Sequence, residues 1–120
     1  MGTHATIIAK KENSYRSIYN HYDGYPEYLF KMLTENYTDD DKVQRLIDLG
    51  DVSYVREQVD IPEGVVHNFV TPAGDITVAY GRDRGETGIE CEVYDTLQDA
   101  LDDRVEKFNY LWDGDKWSQI

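Results

Sequence analysis

Two runs of apolar residues at helical spacing determine which architectures this 120-residue chain can adopt. In residues 27–37 they recur at intervals of three and four, which places them on one face of a helix. Thr38 is expected to end that helix and cap a second one, in which the acidic residues 39–41 suit the positive end of the helix dipole and Gly50 is the stop. Both stripes need a second layer to pack against, and the predicted core includes Leu29, Leu33, Tyr37, Leu46 and Ile47.

Stretches rich in β-branched and aromatic residues predict that this second layer is a sheet. Hairpins are predicted from residues 6–10 with 15–19, from 65–70 with 76–80, and from 108–112 with 116–120. Residues 89–94 alternate as a further strand, 96–106 form a third, acidic helix, and 81–88 are a polar loop. The predicted order is β-β-α-α-β-β-β-α-β-β, which indicates a single α+β domain over residues 1–120, with an antiparallel sheet built from hairpins and packed by two helices.

Composition argues against several classes of function. The chain has 24 acidic and 12 basic residues and a net charge of −12, so we expect neither direct nucleic-acid binding nor attraction to an anionic membrane. Apolar runs stay well short of the roughly 18–20 residues that a membrane span needs, and the N-terminal residues lack the pattern of a signal peptide. A single cysteine excludes an internal disulfide and favours the cytoplasm.

The densest group of chemically able side chains lies in residues 19–26, around a turn that Gly24 and Pro26 impose. One interpretation is a recognition surface, because tyrosine combines a large contact area with a low entropy cost. The alternative is that the polar groups satisfy the turn while the rings pack on the first helix. No nucleophile accompanies the histidine, so we assign no catalytic residue. The candidates here are His21, Tyr22, Asp23 and Tyr25.

The sequence predicts no metal site and no cofactor. His4, His21 and His67 are scattered, and no pair has the spacing that puts two ligands on one helix face. Cys91 lies in an alternating strand pattern between two glutamates, which raise a thiol pKa, so a structural cysteine is favoured over a nucleophile.

A second candidate segment is the glycine-flanked run that contains Arg82, Arg84 and Glu86. Two guanidinium groups beside flexible backbone suit an anion, although no phosphate-loop motif is present. The alternative is that these arginines pair with Asp83 and Glu86 within the same loop.

Acidic residues are concentrated between positions 86 and 106, where Arg104 is the single basic residue. At helical spacing such carboxylates crowd one another and oppose folding by about 0.2–0.5 kcal/mol per pair, which a basic partner would offset. The alternative is a solvated surface. The residues predicted to bind a partner, named here the acidic cluster, are Glu90, Glu92, Asp95, Asp99, Asp102, Asp103 and Glu106.

Two motifs resemble those of a widespread group of small proteins encoded by bacteriophages and prophages. They are Ile18-Tyr-Asn-His21-Tyr-Asp23-Gly24-Tyr25-Pro26 and Ala79-Tyr-Gly-Arg-Asp-Arg-Gly85-Glu86. In that group the first motif commonly reads Ile-Tyr-Cys-His-Trp-Asp-Gly-Tyr-Pro, so Asn20 and Tyr22 stand here in place of Cys and Trp. The resemblance covers about residues 5–117 and implies a phage accessory protein that acts in the host-cell cytoplasm.

These observations favour a non-enzymatic protein that binds a host protein with a basic surface. We expect it to inhibit or modulate a nucleic-acid-processing or defence enzyme, with the acidic cluster imitating nucleic acid. The alternative is a small hydrolase that uses His21 with Asp23 and Arg82 with Glu86; a structural or regulatory scaffold is a third. The two motif loops are predicted to meet in space, because they are the polar interruptions of a packed pattern.

Overall fold

The computed structural model describes residues 3–120, which form four helices and a seven-stranded sheet of order β4-β3-β2-β1-β6-β7, with β5 paired to β2. This confirms the α+β class. The elements in chain order are β1 (Ala5–Lys11), β2 (Ser14–Asn20), α1 (Leu29–Asn36), α2 (Asp40–Asp48), β3 (Val52–Tyr54), β4 (Val78–Ala79), α3 (Tyr80–Arg84), β5 (Glu92–Tyr94), α4 (Leu97–Asp103), β6 (Phe108–Trp112) and β7 (Trp117–Gln119).

The two long helices and two of the three predicted hairpins form as the sequence indicates. β1 pairs with β2 and β6 pairs with β7, both antiparallel. The cap of α2 differs by one residue from the prediction, because the Asp39 carboxylate rather than Thr38 accepts the backbone N–H of Lys42. All five predicted core residues of these helices are buried. The indole N–H groups of Trp112 and Trp117 tie the β6–β7 hairpin to the helices, by donating to Asp40 and to the Tyr37 carbonyl.

The sheet is mixed rather than wholly antiparallel. β1 pairs parallel with β6 over five residue positions, and β2 pairs parallel with β3. Parallel neighbours need a crossover through other elements, and the intervening helices supply it. Hairpin signals in a sequence report only sequential antiparallel pairs, so they do not indicate these contacts.

The predicted hairpin of residues 65–70 with 76–80 is wrong. Residues 65–70 form no strand, and β4 pairs with β3 instead. The valines of the segment do not alternate between core and solvent: Val66 is 74% exposed and Val70 is 91% exposed. Phe69 packs on the ring of Tyr80, and its N–H donates to the Asp83 carbonyl at 3.0 Å, so this segment is held by individual contacts rather than by a strand ladder.

Two further predictions need correction in the second half of the chain. Residues 81–84 of the expected polar loop, together with Tyr80 from the expected strand, form α3, which ends at Gly85 with a φ of +76°. The acidic helix stops at Asp103, because Arg104 adopts an extended conformation. Glu106 therefore lies beyond α4, where its backbone N–H donates to the Asn109 side chain that leads into β6.

Alternating side chains of the central strands face two different layers. Ile7, Ala9 and Ile18 belong to the main core, which α1 and α2 cover. Ile8 is equally buried but points away from that core, as strand alternation requires. On this second side α4 contacts β2 and β5. The sheet is thus covered on both faces.

We expect Leu46→Ala to lower the free energy of unfolding by about 2–5 kcal/mol, because it removes a fully buried side chain and leaves a cavity in the core. The measurement is urea unfolding followed by circular dichroism. Val70→Ala, at an exposed valine, is the control and should change that free energy by less than about 0.5 kcal/mol. A neutral Leu46→Ala would contradict the packing of α2 on the sheet.

Candidate functional site

A cavity of about 440 Å³ lies where β2, β3, β4 and α3 meet, and we call it the aromatic cavity. It receives residues from both sequence motifs, together with others from β3, β4 and the segment that precedes β4. Its lining consists of His21, Tyr22, Ser53, Tyr54, Phe69, Val78, Tyr80 and Arg84.

The β3 segment brings the two motifs together. Just past the end of β2, the backbone N–H groups of His21 and Tyr22 donate to the carbonyls of Val52 and Ser53 at 3.1 and 2.7 Å. On the other side β3 pairs with β4, which runs directly into α3 and so delivers Tyr80 to the same place. The first motif therefore lies beside one edge of β3 and the second beside the other edge.

Contacts with three neighbouring rings fix the position of the His21 imidazole at this site. Burial and the neighbouring His4 both lower its pKa. Its Nδ1 hydrogen-bonds the Tyr19 hydroxyl at 2.7 Å, the His4 ring stacks on it at 4.8 Å, and the Tyr22 ring meets it edge-on at 4.4 Å. The hydrogen-bond partner of Nδ1 is thus a phenol rather than the carboxylate that would orient a catalytic base.

Arg84 is the arginine that reaches the aromatic cavity. Its guanidinium carbon lies 4.4 Å from the centre of the Phe69 ring and 5.0 Å from that of Tyr80. The Glu86 carboxylate accepts a hydrogen bond from Arg84 Nε at 2.9 Å. This contact holds the guanidinium beside the cavity and pairs its charge with a carboxylate.

Asp23 and Tyr25 belong to the turn rather than to the lining of the cavity. Asp23 has a φ of +57°, in the left-handed region. At Gly24 a Cβ would lie only 2.6 Å from the carbonyl oxygen of Thr3, so a glycine is required there. The buried Tyr110 hydroxyl donates to the Gly24 carbonyl at 2.7 Å. Conformation and packing therefore account for much of the first motif.

Arg82 does not line the aromatic cavity. Its guanidinium donates to the carbonyls of Val59 and Thr77 and to the Asp83 carboxylate, and so braces residues 59–77 against α3. The two motifs therefore meet at this cavity through His21, Tyr22, Tyr80 and Arg84, and not through Arg82.

A buried polar cluster of His67 and Asp83 lies next to the Arg82 guanidinium. The side chains of His67 and Asp83 are 0% and 1% exposed, and His67 Nε2 lies 3.1 Å from the Asp83 carboxylate. Because His67 Nδ1 accepts the N–H of Ala73, the proton of the neutral ring is on Nε2 and is donated to Asp83. Burial raises the pKa of Asp83, but hydrogen bonds from Arg82 and from the Ala79 N–H outweigh it and leave that pKa below its ordinary value.

The acidic cluster extends over β5, α4 and the residues that follow. Six of its seven residues are exposed, whereas Glu106 is half-buried and lies 3.7 Å from His4. The Tyr94 hydroxyl donates to Asp103 and so joins β5 to the end of α4. Burial and the Asp103 charge raise the pKa of Tyr94 to about 12, so this donor keeps its proton.

The sequence did not indicate that Ser53, Tyr54, Phe69 and Val78 belong to the aromatic cavity. Phe69 was placed in a strand that does not form, and the short β3 has too few residues to give a clear alternation. Tyr80 offered the usable signal, because it stands within the second motif, two residues before Arg82.

No three His, Cys, Asp or Glu side chains among residues 3–120 are grouped so that they could hold a metal ion. In the same range, none of the helices has the length and apolar character needed to cross a membrane. Comparisons with models of protein families, with curated proteins and with solved structures find no match.

We expect Asp83→Asn to lower the free energy of unfolding at pH 7 by about 3–5 kcal/mol, because Arg82 loses its buried counter-charge. The pKa of Asp83 is lower in the folded state than its ordinary value of 3.8, so ionised Asp83 stabilises the protein above pH 3.8. This contribution is lost as the pH falls through the folded pKa. The difference from the unsubstituted protein should therefore be constant above about pH 5 and shrink below pH 3.8.

Urea unfolding at a series of pH values measures this difference. Asp75→Asn, at an exposed carboxyl two residues before Thr77, is the control and should stay within about 0.5 kcal/mol throughout. An Asp83→Asn protein of unchanged stability would contradict the buried cluster.

Proposed function

We propose that this protein binds a basic partner protein through the acidic cluster. The observation that carries the proposal is the exposure of six carboxylates, while the single basic residue of the same segment is directed elsewhere. Arg104 lies 3.6 Å from the Asp51 carboxylate and 5.0 Å from the centre of the Tyr19 ring. It therefore screens the carboxylates of β5 and α4 only weakly.

Four of the seven residues of the cluster lie on β5 or α4, which supports binding without much loss of entropy. β5 pairs with β2 over three residue positions, and α4 is capped by the Thr96 hydroxyl, which accepts the N–H of Asp99. The bond from Tyr94 to Asp103 then links strand to helix. Carboxylates held this way need little further ordering when a partner arrives.

Two exposed valines add the apolar component that a protein interface needs. Val93 is the middle residue of β5, and Val105 directly precedes Glu106. Both valines are more than half exposed. Apolar contacts with a charged surround are typical of protein–protein interfaces. The combination favours a protein partner over a small cation.

The partner we propose is a nucleic-acid-processing or defence enzyme of the host, as the resemblance to phage-encoded proteins implies. The carboxylates would take the place of phosphates in its basic groove. Seven residues of α4 extend about 10 Å, which corresponds to about three phosphate intervals along one strand of a duplex. The imitation is therefore local, and Glu90, Glu92, Asp95 and Glu106 contribute the remaining charges.

We expect capture of the partner from bacterial lysate, and inhibition of its nuclease activity, to weaken steeply as salt rises from about 50 to 500 mM, because exposed charges are screened. The double substitution Asp99→Lys, Asp102→Lys should slow association at least about tenfold. Kinetic binding measurements at several ionic strengths test both effects.

The matched control is Glu35→Lys, Glu63→Lys, which changes the net charge equally at exposed positions outside the cluster. It should slow association far less, and both variants should keep the unfolding free energy within about 1 kcal/mol. Capture that is insensitive to salt, or full inhibition by the Asp99, Asp102 variant, would show that the acidic cluster is a solvated surface.

A further inference from the structure

The walls of the aromatic cavity consist largely of flat groups. Five rings and one guanidinium plane surround a volume of about 440 Å³, within the range of small-molecule sites. Aromatic rings hold flat ligands by stacking. Stacking selects the flat shape of a ligand more than its chemical identity. The flat groups are His21, Tyr22, Tyr54, Phe69, Tyr80 and Arg84.

The charges at the cavity disfavour an anionic ligand. Arg84 already has a carboxylate partner in Glu86, and the lowered pKa of His21 keeps its imidazole neutral. No uncompensated positive charge therefore faces the cavity from these two residues. The net charge of −12 adds a general repulsion of anions.

A cationic ligand is disfavoured for a different reason. Quaternary ammonium groups bind over the faces of aromatic rings. Here the Arg84 guanidinium already lies over Phe69 at 4.4 Å and near Tyr80 at 5.0 Å. A second cation in the cavity would have to bind beside this positively charged group.

The cavity also offers groups that can orient a neutral polar ligand. Ser53, Tyr54 and Tyr80 carry hydroxyls among the lining residues. Burial raises the pKa of Tyr80 more than its hydrogen bond with Ser53 lowers it, so the Tyr80 hydroxyl keeps its proton. Tyr22 is 44% exposed, so part of its ring is open to an entering ligand.

We infer that the aromatic cavity binds a flat, uncharged heteroaromatic ligand of the nucleoside class, stacked on the ring walls and hydrogen-bonded by the hydroxyls. The Arg84 guanidinium acts as a stacking plane rather than as a phosphate clamp. This site is separate from the acidic cluster, so the inference does not depend on the proposed function.

Saturation-transfer and titration NMR with adenosine and cytidine test this inference on the full chain. We expect at least one of the two nucleosides to bind in the millimolar range or tighter. Tyr22→Ala should weaken binding about tenfold by removing a stacking surface. Arg84→Lys, which keeps the charge but loses the plane, should also weaken it. Tyr25→Ala, at an exposed tyrosine of the same turn outside the cavity, is the control and should leave binding unchanged.

Two charged probes distinguish the other ligand classes. Adenosine monophosphate should bind more weakly than adenosine at low salt, and choline should not compete. Three results would overturn the inference. They are the absence of binding by both nucleosides at 10 mM (about the weakest affinity of interest), tighter binding of the monophosphate, and competition by choline. So would equal binding by Tyr22→Ala. The Asp99→Lys, Asp102→Lys variant should bind nucleosides normally, which separates this test from that of the acidic cluster.

Discussion

The parallel pairing of β1 with β6 is the contact on which the rest of the structure depends. It fills the second edge of β1, whose residues from Ala5 to Ala9 are all buried, and joins positions 103 residues apart. Thr6 and Asn109 hydrogen-bond across this pair of strands, and the Tyr110 hydroxyl reaches the Gly24 carbonyl. The turn of the first motif is thus positioned from the far end of the chain, and with it the start of α1.

Asp51 connects the two candidate surfaces. Its carboxylate accepts the N–H of Tyr19 at 2.9 Å and lies 3.6 Å from Arg104, on the side of α4. Its backbone carbonyl accepts the N–H of Tyr80, and its N–H donates to Ile89, which leads into the acidic cluster. The aromatic cavity and the acidic cluster are therefore built around one loop residue, although each has its own chemistry.

The sequence predicts most accurately those elements whose signals are local. The period of α1 and α2, the turn between β1 and β2 and the closing hairpin depend on neighbouring residues, and all are present. The segment 65–70 shows the limit: its apolar run resembles a strand, yet His67 is held by Asp83, a contact that no local pattern reveals. For the same reason the sequence indicates only some of the residues that line the aromatic cavity. Its motif residues stand out in the sequence, whereas Phe69 joins them only through tertiary packing.

The pairing of β1 with β6 also affects the order in which the chain can fold during synthesis. The β1–β2 hairpin is local and can form early, but each residue of β6 is synthesised 103 residues after its partner in β1. Until then β1 has an open edge, and residues such as Ile7, which are buried in the folded protein, are exposed there. An open edge of this kind can pair with a wrong strand. The sheet is therefore completed last on the β1 side, where β6 and β7 are added as its final two strands.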